Sequence, residues 1–137
     1  MNLHVMNLHV TAALALSMML LFGGFGVKEY DAFHDLLHPL EHEALPKGDF
    51  ARIRSQAKEL TKRGEAIVKL GVPNGIKAEK TEHFKKQLDE FSKALVKFSA
   101  DAESGADADL KTSYSAVHDL FEDLAHMLPP KATKGTN

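Results

Sequence analysis

Apolar residues recur at alternating steps of three and four through most of the chain. Between residues 28 and 128 this spacing forms four separate stripes with the period of an amphipathic helix. The stripes are Tyr30, Phe33, Leu37, Leu40 and Ala44; Phe50, Ile53, Ala57, Leu60, Gly64 and Ile67; Phe84, Leu88, Phe91, Leu95, Phe98 and Ala102; and Leu110, Tyr114, Val117, Phe121, Leu124 and Leu128. No stretch alternates with the period of two that is typical of a strand. The pattern therefore predicts an all-α fold.

Helix-breaking residues separate the four stripes. They fall at 45–48, 71–75 and 104–105. Asp49 and Asp107 stand where we expect the N-caps of the second and fourth helices. Connections this short favour antiparallel neighbours, so the sequence predicts an antiparallel up-down-up-down four-helix bundle. In that topology the first and fourth helices lie side by side.

Pro39 interrupts the first stripe. Proline has no backbone N–H and disfavours helical conformation at the residue before it, which is His38. One interpretation is a kink, or a break with a new turn starting at Pro39. The other is that the kink re-aims His38 and His42 for a functional purpose.

The first 26 residues contain no Asp, Glu, Lys or Arg. An apolar run from Val10 to Phe22 precedes small residues, which is typical of a secretory signal peptide and short for a membrane span. Gly24 and Gly26 suit a cleavage site, with the mature chain starting near Val27. The alternative is an uncleaved membrane anchor, since the leader lacks Lys and Arg. The predicted division is a signal peptide at 1–26, a four-helix bundle at 27–128 and a flexible tail at 129–137, in a periplasmic or otherwise exported protein.

The composition removes several classes of function. The chain has no cysteine, which excludes disulfides, thiolate metal sites, iron–sulfur clusters and covalently attached c-type haem. Its 17 basic and 19 acidic residues are too balanced for phosphate-driven binding, so we expect no nucleic-acid partner. Histidine is the unusual residue, with eight in 137.

A histidine motif occurs twice. Residues 30–42, YDAFHDLLHPLEH, and residues 114–126, YSAVHDLFEDLAH, are identical at seven of thirteen positions when offset by 84. Each copy carries a ligand-type residue at every fourth position, and this spacing places the three side chains on one face of a helix. The candidate metal ligands are His34, His38 and His42 in the first copy and His118, Glu122 and His126 in the second.

Imidazoles with one carboxylate favour a transition-metal ion such as Zn, Cu or Ni over Ca or Mg, which prefer all-oxygen shells. Antiparallel first and fourth helices would relate the motifs by a two-fold axis. The axis pairs His34 with His126, His38 with Glu122 and His42 with His118. Heptad positions direct the outermost members, His42 and His126, toward solvent. We therefore expect a site that lines a groove, or one completed by a second subunit in a homodimer, rather than a buried cage.

The remaining polar residues near the motifs are interpreted more simply. Asp35 and Asp119 each follow the first histidine of a motif, so they are outer-shell acceptors, third ligands or solvated carboxylates. Glu41, Glu43 and Asp123 are interpreted as solvated charge, and His83 as a surface residue.

The layout resembles the exported four-helix bundles of the cytochrome c-prime and periplasmic cytochrome b type. The shared features are a leader, a kinked first helix, a second loop containing proline, and a fourth helix that follows a glycine and carries a histidine, His118 or His126. The resemblance implies an exported bundle. The chain lacks the CxxCH haem-attachment motif of the first group and the helix-one methionine of the second. We therefore expect the haem to be replaced by a metal-ion site or by nothing.

Together these patterns predict an exported transition-metal-binding bundle that acts as a buffer, sensor or delivery protein. An enzyme is not predicted, because the Glu-x-x-His pairs of di-iron bundles are absent. Two alternatives stay open: a haem bundle with histidine ligation, and a structural or interaction bundle without a ligand. A membrane partner is expected only if the leader is uncleaved.

Overall fold

The computed structural model describes residues 24–131; residues 1–23 and 132–137, which hold most of the predicted leader and tail, lie outside the described part. The described residues form four α-helices and no strand, which confirms the all-α prediction. The helices are α1 (Lys28–Pro39), α2 (Phe50–Leu70), α3 (Thr81–Ser104) and α4 (Asp107–His126). A π-helical turn, Leu40–Ala44, follows α1 directly, and a short 3-10 turn, Ala78–Lys80, precedes α3.

One hydrophobic core contains the four predicted stripes. All of their members are buried except Phe50, Ala102 and Leu128, which stand at the ends of their stripes and are half-buried. The fully buried ring of Phe121 on α4 packs against α1, where its centroid lies 4.8 Å from that of Phe33 and 5.9 Å from that of Tyr30. Large side chains therefore join the two helices that carry the histidine motifs.

The helix continues through Pro39 without a break, and its type changes directly after this residue. The backbone N–H of Leu45 donates to the carbonyl of Leu40 at 2.8 Å, and the N–H of Asp49 donates to that of Ala44 at 2.9 Å. Each of these bonds reaches back five residues, as in a π-helix. On this wider turn Leu40 and Ala44 are buried and Glu41 is half-buried.

Of the two predicted N-caps, the structure contains the one at Asp49 and not the one at Asp107. The Asp49 carboxylate accepts a hydrogen bond from the N–H of Arg52 at 3.1 Å and caps α2 as expected. The prediction for Asp107 is wrong: Ala106 occupies the N-cap position of α4 without a side-chain cap, and the Asp107 carboxylate accepts from Arg54 at 2.9 Å instead.

The Arg54 guanidinium links the first turns of α2 to the connection between α3 and α4. It donates to the carbonyls of Asp101 and Ala102 at 3.0 Å and to that of Gly105 at 2.8 Å. Carbonyls at a helix C-terminus lack partners within the helix and carry the negative end of its dipole. A cation at this position therefore satisfies and neutralises the end of α3.

Candidate metal centre

The three histidines of the first motif lie in a row along α1 and the π turn. The ring centroids of His34 and His38 are 5.3 Å apart, and those of His38 and His42 are 4.2 Å apart. His34 is half-buried, with its ring 5.3 Å from that of Phe25 and 6.3 Å from that of Phe121. His38 and His42 are exposed. Aromatic packing therefore holds only the first histidine of this motif.

In the second motif, Glu122 lies between two imidazoles. Its Oε1 is 3.8 Å from Nε2 of His118, and its Oε2 is 3.7 Å from Nε2 of His126. The His118 side chain is 24% exposed, whereas that of His126 is 79% exposed. Nδ1 of His118 lies 3.2 Å from Oδ1 of Asp119, so the contact favours Asp119 as an outer-shell partner.

A carboxylate from the π turn also reaches His118. Oε1 of Glu41 lies 3.9 Å from Nε2 of His118, the nitrogen that also faces Glu122. Oε2 of Glu41 is buried and has no hydrogen-bond partner among the described residues. The interpretation of Glu41 as solvated charge was wrong, because the π turn directs this carboxylate toward α4. In the sequence, the π turn is marked by Pro39, two residues before Glu41. The spacing of the apolar residues does not show that the helix type changes after this proline.

The pairing between the motifs differs from the one that two-fold symmetry predicts. The residue in contact with His118 is Glu41, the neighbour of the expected His42. No ion pair or ring contact among residues 24–131 joins a histidine of the first motif to a ligand-type residue of the second.

Within each motif the outer residues stand eight positions apart, about 12 Å along a helix. One metal ion therefore cannot touch both His118 and His126.

No group of three or more His, Cys, Asp or Glu side chains in residues 24–131 is arranged to hold a metal ion without movement. The contacts of His118 come nearest, with carboxylate oxygens at 3.8 and 3.9 Å from its Nε2. Two ligands of a tetrahedral zinc ion, each about 2.0–2.1 Å from the metal, stand roughly 3.3 Å apart. The difference is within the reach of small side-chain rotations.

Both tyrosines of the chain are buried beside the motifs. Tyr30 and Tyr114 occupy the first position of each copy, are fully buried, and have no hydrogen-bond partner for their hydroxyls among the described residues. Burial raises the pKa of both phenols above the ordinary value. At Tyr114 the Glu41 carboxylate raises the pKa further, although the two groups fall outside hydrogen-bond geometry. Glu41 therefore lies close to both His118 and Tyr114.

We expect the free energy of unfolding to fall as the pH rises above about 10, the ordinary pKa of tyrosine. Above this pH the unfolded chain releases its phenol protons, whereas the raised pKa keeps Tyr30 protonated in the folded chain. Unfolding is therefore favoured as the pH increases. In Tyr30→Phe the decline should be smaller than in the wild type, as measured by urea denaturation below and above this pH. Identical declines would contradict the burial of an ionisable group at this position.

A surface cavity of about 390 Å³ lies beside the end of the second motif. His126 and His83 both line it, together with Asp123 and Glu79. His83 is exposed, which confirms its interpretation as a surface residue. Its position beside His126 could not be foreseen, since the two residues come from different helices.

Comparisons with known protein families, curated proteins and solved structures find no match to this chain. The resemblance to cytochrome c-prime and periplasmic cytochrome b bundles therefore stays a prediction. Within residues 24–131 no helix is long and apolar enough to cross a membrane.

Proposed function

We propose that this protein is an exported four-helix bundle that binds a transition-metal ion, Zn, Cu or Ni, as a buffer, sensor or delivery protein. The ion is held by His118 and Glu122 on α4 and by Glu41 from the π turn. One observation carries the proposal: Nε2 of His118 has carboxylate oxygens from two different elements within 3.9 Å.

The chemistry of this group supports a divalent ion. Glu41 and Glu122 together carry two negative charges, which balance a divalent cation, and imidazole favours the borderline transition metals. The side chains of His118 and Glu41 are only 24% and 27% exposed. Partial burial strengthens the attraction between unlike charges, because less water screens them. It also makes close approach of the two carboxylates unfavourable without a cation.

We infer that the four helices form the antiparallel up-down-up-down bundle. Tyr30, early in α1, packs against Phe121, late in α4, whereas Glu41, after the end of α1, contacts His118 earlier in α4. Residues later along α1 and the π turn therefore contact residues earlier along α4, as expected for antiparallel helices. Arg54, near the start of α2, binds carbonyls at the end of α3. This arrangement makes the π turn and the middle of α4 neighbours.

The first motif contributes a second and weaker site. His38 and His42 are exposed and four positions apart, and imidazoles at this spacing can share one metal ion. This pair offers two ligands in open solvent, so we expect it to bind divalent ions more weakly than the group around His118. His34 is held by Phe25 and Phe121, and His126 belongs to the surface cavity that it shares with His83.

Zinc titration of the full chain, followed by calorimetry, tests the proposal. The wild type should bind one equivalent tightly. Losing an outer-shell partner costs a metal site about 10–100-fold in affinity, so losing the imidazole itself in His118→Ala should cost at least that much. His83→Ala is the matched control, because it removes an exposed histidine outside the site. Equal affinities for the wild type and His118→Ala would exclude metal binding at His118.

Export is a separate part of the proposal. It predicts a processed chain that begins near Val27, detectable by its mass in the exported fraction of expressing cells. An intact N-terminus in the membrane fraction would instead support the uncleaved anchor. Phe25 precedes the predicted cleavage point and packs on His34 and Phe121. Processing at Val27 would therefore leave the His34 ring more exposed.

A further inference from the structure

The histidine row of α1 and the π turn offers metal ligands that the site around His118 does not use. The ring centroids of His38 and His42 lie 4.2 Å apart, whereas those of His34 and His38 lie 5.3 Å apart. Two imidazoles bound to one tetrahedral zinc ion have ring centres roughly 5 Å apart, because each nitrogen ligand lies about 2.0–2.1 Å from the metal. Small rotations of the His38 and His42 side chains are therefore enough to bring both onto one ion.

A single chain supplies only two of the four ligands that a closed zinc site needs. His34 and His42 stand eight positions apart, about 12 Å along a helix, so one ion cannot bind the whole row. His34 is also half-buried, in contact with the rings of Phe25 and Phe121. Within residues 24–131 no group of three or more His, Cys, Asp or Glu side chains is arranged to hold a metal ion. An ion on His38 and His42 must therefore take its remaining ligands from outside the chain.

The exposure of this pair allows a second chain to supply those ligands. Both His38 and His42 are exposed. A two-fold axis through the ion would present the same two histidines from each chain, as in the self-complementary contacts of two-fold symmetric dimers. Four imidazoles in this arrangement complete the tetrahedral shell of one zinc ion.

The charge around the pair makes association dependent on a cation. Residues 29–46 contain five acidic residues and no Lys or Arg. Glu43 is paired with Arg52 at 2.9 Å, but Asp35, close to His38 on α1, is exposed. Two chains that face each other through this segment repel one another, because charges of the same sign meet. A divalent ion between the two histidine pairs reverses the sign of this interaction.

We propose that a second copy of this chain completes the site, so that one zinc ion binds His38 and His42 of both chains and joins them as a two-fold symmetric dimer. The inference rests on the proposed metal-binding function, whose weaker site it completes and whose partner it names. The shared ion is separate from the tight ion at His118. The dimer therefore takes up half an equivalent of zinc per chain beyond the first equivalent.

Sedimentation velocity of the full chain at increasing zinc concentration tests the dimer. Up to one equivalent of zinc the species should have the 15.1 kDa mass of one chain. Above one equivalent the mass should double, and calorimetry should detect uptake of a further half equivalent per chain. A chelator should return the mass to that of one chain. The stoichiometry provides a test that needs no variant.

Three variants assign the ligands of the shared ion. The double variant His38→Ala/His42→Ala should remain monomeric at every zinc concentration and keep the tight equivalent. Both replaced side chains are exposed, so the fold should be preserved, which circular dichroism checks. His126→Ala is the matched control, because it removes another exposed histidine and should dimerise as the wild type does. His118→Ala should lose the tight equivalent and still dimerise.

Four results would overturn the dimer. They are dimerisation of the double variant, association that persists in the chelator, loss of the dimer in His126→Ala, and a wild type that remains monomeric above one equivalent of zinc. In each case tight zinc binding that depends on His118 would leave the proposed function standing. Zinc-dependent dimerisation through His38 and His42 without a tight equivalent at His118 would instead support the dimer and reject the proposed principal site.

Discussion

Replacement of Phe121 by alanine is expected to lower the free energy of unfolding by about 3–5 kcal/mol, the usual range for removing a buried phenylalanine ring. The ring is fully buried on α4 and contacts the rings of Tyr30 and Phe33 on α1. It also packs against Phe25 at 5.7 Å, before α1 begins. The variant would therefore lose contacts within the core and between the two helices that carry the histidine motifs.

Urea denaturation of the full chain, followed by circular dichroism, measures this loss. Val96→Ala is the control, because Val96 is 70% exposed and a surface truncation of this kind changes stability by less than about 0.5 kcal/mol. Equal stabilities for Phe121→Ala and the wild type would show that α1 does not pack on α4 through this ring. The antiparallel packing of α1 and α4 that we infer would then lose its main support.

Replacement of Glu41 by glutamine is expected to act in opposite directions on stability and on zinc binding. Without metal, the change removes the charge of a carboxylate that has one buried, unpartnered oxygen and that raises the pKa of Tyr114. Burial of an uncompensated charge is costly, so the metal-free variant should be at least as stable as the wild type. With metal, the same change removes a charged ligand, and we expect zinc affinity to fall about 10–100-fold, by analogy with the loss of outer-shell partners.

Glu43→Gln is the matched control for this prediction. Glu43 stands two residues further along the π turn, is exposed, and pairs with Arg52 at the surface. Its replacement should change both quantities little, because exposed ion pairs contribute at most about 1 kcal/mol. Calorimetry of zinc binding and urea denaturation supply the two measurements. Lower stability of Glu41→Gln together with unchanged zinc affinity would mean that Glu41 has a purely structural role.

The helices were predictable because burial of apolar side chains follows the helical period directly. Stripes such as Phe84, Leu88 and Phe91 face the core as their spacing requires. The ends of α2 were also predictable, since Asp49 and Gly71 act through local backbone geometry. The cap at Asp107 was not, because a more distant residue, Arg54, competes for its carboxylate.

The candidate site was predictable only in part. The repeat identified His118 and Glu122, which the structure brings within 3.8 Å of each other. It could not identify Glu41, because the orientation of this carboxylate depends on the π turn after Pro39 and has no counterpart in the second copy.

X-ray absorption spectroscopy of the zinc-loaded full chain tests the central claim most directly, because it counts the imidazoles that bind the metal. We expect one imidazole with oxygen ligands at about 2.0–2.2 Å, the distances of zinc bound by His and Glu. In His118→Ala the tightly bound zinc should disappear. A metal bound by two or three imidazoles would contradict this expectation and place the site on the histidine row of α1 and the π turn.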